Sequence, residues 1–279
     1  LLATDGDFNV GISDVGSLKQ LIERQRKSGI YLSVLGFGRG NYNDAIMQTL
    51  AQNGNGTAAY IDNLREAQKV LVQESSSTLF TIAKDVKIQI EFNPKTVSEY
   101  RLIGYETRFL NKQDFKNDKV DAGDIGSGHT VTAIFEITPA NSTAKLVDNL
   151  RYQKTEIPVS SGDNSRDQEY AFLKMRYKLP GETKSRPLSV AVTTQHEHSD
   201  IDRLSDDVKF SASVAAFGQK LRGSSYLSDY GFEEIISLAG SSLGQDKFGY
   251  RHEFLGFVRL AKSLEIAGLP SSSSVKDPK

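Results

Sequence analysis

The first residues able to do chemistry stand at the very start of the chain. "LLATDGDFNVG" runs from an apolar tetrapeptide straight into Asp5, Gly6 and Asp7. A carboxylate released at the end of a buried strand has two uses. It can carry charge-based binding chemistry at the strand end. It can equally cap the turn into the next helix, helped by Asn9 and Ser13. Asp7 and Asn9 read as turn residues, with Asp7 alternatively a partner that orients Asp5.

The remaining motifs are weaker. "HEHSD" places His196 and His198 two apart, so on a strand both would share a face and could chelate zinc with Asp200. The adjoining "DIDRLSDD" is so polar that a solvated connector is the better reading. His129 and His252 lie in apolar-patterned stretches without acidic or serine neighbours at catalytic spacing, and read as partly buried structural residues. "GFGRGN" lacks the lysine and hydroxyl of a phosphate loop, and its glycines suit a turn after a strand. Gly-x-Ser-x-Gly is absent, and "GDIGSGH" reads as a glycine turn into the next strand. The pairs Asp206-Asp207 and Glu233-Glu234 fit helix starts, where negative charge complements the dipole.

These residues must be carried by elements, and the bulk numbers bound which. The chain has 279 residues, 38% hydrophobic and 25% charged, enough for a proper core. A formal net charge of -1 without a basic cluster argues against nucleic acid. Zero cysteines exclude disulfides, thiolate nucleophiles and Cys-ligated zinc. No apolar run approaches the ~18 residues of a membrane span.

Residues 1–80 alternate apolar strands with helices: a helix over 15–27 with Leu18, Leu21 and Ile22 inward, a strand over 30–38, a helix over 44–53, a strand over 57–61 and a helix over 64–80. Such alternation predicts a parallel sheet covered on both faces. Near Ala83 the period drops to two. "DVKIQIEFNP" turns Val86, Ile88, Ile90 and Phe92 to one side, and "YRLIGYE", "HTVTAIFEITP", "EYAFLKMRYKLP" and "PLSVAVTT" continue the pattern, predicting a β-sandwich. From Asp206 the helical period returns, with Val208, Phe210, Val214, Phe217 and Leu221 in register. Phe248, Tyr250, Phe254, Phe257 and Leu260 make an aromatic-rich face on the last helix, read as core packing, with a partner groove as the lesser alternative. "PSSSSVKDPK" is a polar tail expected to be disordered.

With these parts in view, "LLATDGDFNVG" resembles the fourth-strand motif of von Willebrand factor type A (VWA) domains. The run from "AKDVKIQIEFNP" to "HTVTAIFEI", with "FLKMRYKLP" and "KFGYRHEFLGFVRLA", is similar to bacterial YfbK-like VWA proteins. The resemblance covers nearly the whole chain. It implies a metal-ion-dependent adhesion site above the carboxyl ends of the parallel strands, built from an Asp-x-Ser-x-Ser group, a threonine and the aspartate of Thr-Asp-Gly. Asp5 is the one member matched here, as a magnesium ligand acting directly or through water. No Asp-x-Ser-x-Ser occurs; Asp163-Asn164-Ser165-Arg166-Asp167 comes nearest and ends in the wrong residue. The site is therefore expected to be complete only with an upstream VWA segment, which a chain opening inside a strand suggests.

The expected organisation is the C-terminal half of a VWA Rossmann-like sheet over 1–82, a β-sandwich over 83–200, a helical segment over 201–268 and a tail over 269–279. By the resemblance, the expected role is non-enzymatic, adhesion-type protein binding through a partner's acidic residue, in the periplasm or at the bacterial surface, often behind a lipoprotein or secretory leader. Two alternatives stay open: an assembly scaffold without metal, and a metal-dependent hydrolase using His196 and His198.

Overall fold

The computed structural model describes residues 1–5, 14–38, 43–75, 80–104, 110–118, 120, 122–146 and 168–266. The motif residues Asp7, Asn9 and Ser13, the second half of the "GFGRGN" loop, Asp163 to Asp167 and the tail lie outside them. Two compact units form, and they do not follow chain order. The first joins Leu1–Glu91, Phe109–Val131 and Phe172–Ala191; the second joins Phe92–Arg108, Thr132–Ala171 and Val192–Lys279.

The first unit opens with a parallel sheet of β1 (Leu2–Thr4), β2 (Leu32–Phe37) and β3 (Asn55–Ile61), in the order β1-β2-β3. Helices α1 (Val15–Lys27) and α2 (Asp44–Asn53) connect them. Asp14 starts α1 by accepting the Ser17 N–H at 2.7 Å, and Arg24, Arg26 and Lys27 crowd its last turn, where they suit the dipole. Gly29, at φ +89, ends it by donating to the Arg26 carbonyl. Asn43 caps α2 through the Ile46 N–H. Ile22, Val34, Met47, Leu50 and Ala51 form the apolar core, because β2 is buried along four consecutive residues, as a central parallel strand must be. The expected helix over 64–80 differs. Its α part, α3 (Leu64–Gln68), passes into a π turn over Lys69–Gln73 that leaves Leu71 and Val72 exposed. With no buried residue on either part, packing does not enforce a regular α-helix there.

The antiparallel strands fall into two sheets. A four-stranded sheet runs β6 (Gly123–Gly126), β4 (Thr81–Phe92), β8 (Glu169–Lys178), β9 (Arg186–Thr193); a two-stranded one pairs β5 (Val97–Ile103) with β7 (Ile134–Pro139). "GDIG" is thus a strand in its own right, and the turn follows it. The inward face of β4 also differs from the alternation. Its fully buried residues are Asp85 and Lys87, while Ile88 is 52% exposed. The ladder is irregular here: Asp85 sits at φ +51, and the register with β6 shifts both between Thr81 and Ala83 and between Ala83 and Val86.

In the second unit, α4 (Asp206–Leu221), α5 (Phe232–Gly240) and α6 (Tyr250–Ile266) pack around Phe232, Ile235 and Val258. The Phe254 ring meets those of Phe210 and Phe217 edge-on, at 5.2 and 5.4 Å. Asp206 and Asp207 stand in the first turn of α4, and Glu233 and Glu234 in that of α5, where the Glu234 carboxylate accepts the Gly231 N–H. The expected aromatic face splits. Phe254 packs inward beside Leu255 and Val258, whereas Phe248, Phe257 and Leu260 are exposed.

Candidate functional site

Asp5 leaves the carboxyl end of β1 and is exposed. The parallel register pairs Thr4 with Gly36, and Gly36 in turn with Tyr60, so Asp5, Gly38 and Asp62 emerge from adjacent strand ends at one edge of the sheet. Gly38, at φ +79, turns the chain out of β2, and its carbonyl accepts the Tyr60 hydroxyl at 2.6 Å. Each helix that follows a strand starts at this same edge, so the capped N-termini of α1, α2 and α3 gather there. Helix N-termini at a sheet edge favour negative charge near their amides.

Asp62 and Asn63 are already engaged. The Asn63 side chain donates to Asp62 at 2.8 Å and accepts the Glu66 N–H as the cap of α3. Among the described residues no group of three or more His, Asp or Glu side chains comes together as a cation cage. Magnesium asks for six oxygens in near-octahedral order, of which the Asp5 carboxylate could supply one.

The His196 pair is arranged otherwise than on a strand. His196 closes a short 3-10 turn, its Nδ1 accepting the Thr193 N–H at 3.1 Å, and Asp200 caps the next turn through the Asp202 N–H. Both imidazoles are exposed. His129 and His252 are exposed too, rather than partly buried. His252 does have an acidic partner, with its Nδ1 2.5 Å from the buried Asp246 carboxylate. Burial pushes Asp246 up, yet the His252 side chain and the His252 and Arg251 amides together hold it below its ordinary range. This carboxylate caps α6 beside a 450 Å³ pocket bordered by Asp206, Asp207 and Arg251.

The densest polar grouping was not foreseen. Asp85, 2% exposed, receives Lys87 at 3.1 Å and Lys178 at 2.7 Å. Asp118 receives Arg176 at 3.0 Å and the Ser185 hydroxyl at 2.6 Å. Ser185 foremost, with Arg176 adding, outweighs partial burial and holds the Asp118 carboxyl down at about 2. One sequence signal existed: Lys174, Arg176 and Lys178 recur with period two on β8, a basic face that needs acids opposite it.

Residues 77–264 match the family described as "Uncharacterized protein YfbK, C-terminal". The chain belongs to this YfbK C-terminal family. It is also 47% identical over 261 residues to "Uncharacterized protein YfbK" of Escherichia coli (strain K12), covering 94% of this chain and 44% of that relative. The chain therefore spans less than half the length of the relative it matches. The family match takes in the antiparallel sheets and α4 to α6; the identity with YfbK runs over nearly all of the chain. Among solved structures, the von Willebrand factor type A from Catenulispora acidiphila aligns with a TM-score of 0.37 and 13% identity, over 92% of this chain and 57% of that one. That score is too low to carry weight for fold or function. No helix among the described residues is long and apolar enough to cross a membrane.

Proposed function

We infer that this YfbK-family chain is a non-catalytic protein-binding module, and that β1 to β3 with their helices are the C-terminal half of a VWA-type domain. The observation that carries this is the position of Asp5: an exposed carboxylate at the carboxyl end of a parallel strand, beside the turn at Gly38. Asp5 supplies one oxygen of a magnesium shell whose other ligands come from an upstream segment, and a partner's acidic residue completes it. The setting is the bacterial envelope, periplasmic or at the cell surface, behind a lipoprotein-type leader. Magnesium or manganese titration of the full-length protein, wild type against Asp5→Ala, tests the site. Weaker binding in the variant is expected; equal affinity removes Asp5 from it.

A scaffold role is favoured by one separate observation. Phe257, Leu260 and Leu264 lie at i, i+3 and i+7 on α6 and are 54, 57 and 44% exposed. Sedimentation of Leu260→Lys against wild type separates the readings, since a scaffold built on this stripe dissociates.

A further inference from the structure

The ionic grouping around Asp85 has an arrangement that burial alone does not require. β6 is Gly-Asp-Ile-Gly, with one apolar side chain; it lies against β3 as well as β4 but belongs to neither apolar core cluster. Its registered pairing with β4 is limited to Thr81 with Gly126, Ala83 with Ile125 and Val86 with Gly123, and is interrupted by register shifts. The segment leading into β6 is held by charge instead. Lys87 donates to the Asn117 carbonyl at 2.7 Å and Lys178 to the Asp118 carbonyl at 2.9 Å, while the Ala122 N–H donates to the Asp85 carboxylate at 3.0 Å. In return, the Asp85 N–H donates to the Asp124 side chain of β6 at 3.0 Å. Asp85 is thus a hub, binding both ammonium groups and one amide through its carboxylate, and β6 through its backbone. Asp85 pairs with Lys87 and Lys178, and Asp118 with Arg176, so these charges are matched only while every member stays.

We propose that Asp85 is the catch of an ionic latch that holds the edge strand β6 and the chain before it on β4, and that this strap opens as one unit when the catch is weakened. A segment tied by few apolar contacts and many polar ones is what opens below the global unfolding free energy. The backbone supports the same reading, because a left-handed Asp85 is strained unless its partners hold it. Opening uncovers the hydrogen-bonding edge of β4, the surface on which an extended segment can add a strand.

Residue-resolved amide exchange on the 279-residue chain tests the latch in wild type and Asp85→Asn. Two reporters decide it. The Ala122 amide binds Asp85 itself; the Ser127 amide binds the Phe80 carbonyl at 2.8 Å and never touches Asp85. The expected result is faster exchange at both by the same factor, about tenfold or more for a lost charged hydrogen bond, while Val34 in β2 keeps its rate. Acceleration at Ala122 alone makes the contact local and overturns the latch, as does Val34 rising in step with the reporters. If Asp85→Asn fails to fold, Lys178→Met removes one of the two ammonium partners and is read in the same way. Failure of both variants to fold also overturns the proposal, since a strap that opens by itself leaves the remainder standing.

Discussion

The Tyr60 hydroxyl donates to the Gly38 carbonyl at 2.6 Å, tying the end of β3 to the turn that leaves β2. This one bond fixes the mouth of the parallel sheet on the side next to Asp5, since Thr4 pairs with Gly36 two residues before that turn. Tyr60→Phe removes the donor and leaves the ring. The expected cost is about 1 kcal/mol in a urea unfolding series, the usual worth of one such bond. A larger effect on metal binding by the full-length protein than on stability would place the turn itself in the site.

Gly56 permits the approach of β3 to β2. A Cβ at this position would stand 1.9 Å from the Leu32 carbonyl oxygen, a backbone atom that cannot rotate away. Gly56→Ala is therefore expected to destabilise by about 3 kcal/mol or more, an overpacking cost at the upper end of its range. Thermal unfolding by circular dichroism checks it. Gly123→Ala is the control, because no atom lies within 4 Å of a Cβ built there.

The Asp118 carboxyl sets an acid limb. Its folded value is lowered to about 2, with the Ser185 hydroxyl as the largest cause, so the unfolded chain binds this proton more tightly than the folded one. The stabilisation is fully present above the ordinary carboxylate value of about 4 and disappears as the pH falls toward 2. Ser185→Ala should move the Asp118 value upward and flatten that limb. Urea midpoints between pH 2 and 6, in wild type and variant, show whether the two curves converge at the acid end as this requires.

Much of the parallel half was legible in the sequence. Helices α1 and α2 occur at the bounds their apolar spacing predicts, and Gly29 ends α1 as a glycine beyond the last turn should. Asp5 likewise stands where a strand followed by Asp-Gly must release it, at an open sheet edge. These features depend on local period and on residue types a few positions apart. The inward residues of β4 and α6 were not legible in that way. Asp85 and Lys87 replace Val86 and Ile88 inside, and Leu255 and Val258 take the buried places expected of Phe257 and Leu260.

Apart from the π turn over Lys69–Gln73 and the short strand Gly123–Gly126, the linear chain by itself settled where the helices and strands run and where a carboxylate is set free, because those follow from spacing along one segment. Tertiary structure alone decided which face each segment buries. Register shifts along β4 disturb its alternation, and a buried aspartate survives only where distant lysines arrive to neutralise it. Lys178 lies 93 positions beyond Asp85, and no local pattern could announce that meeting.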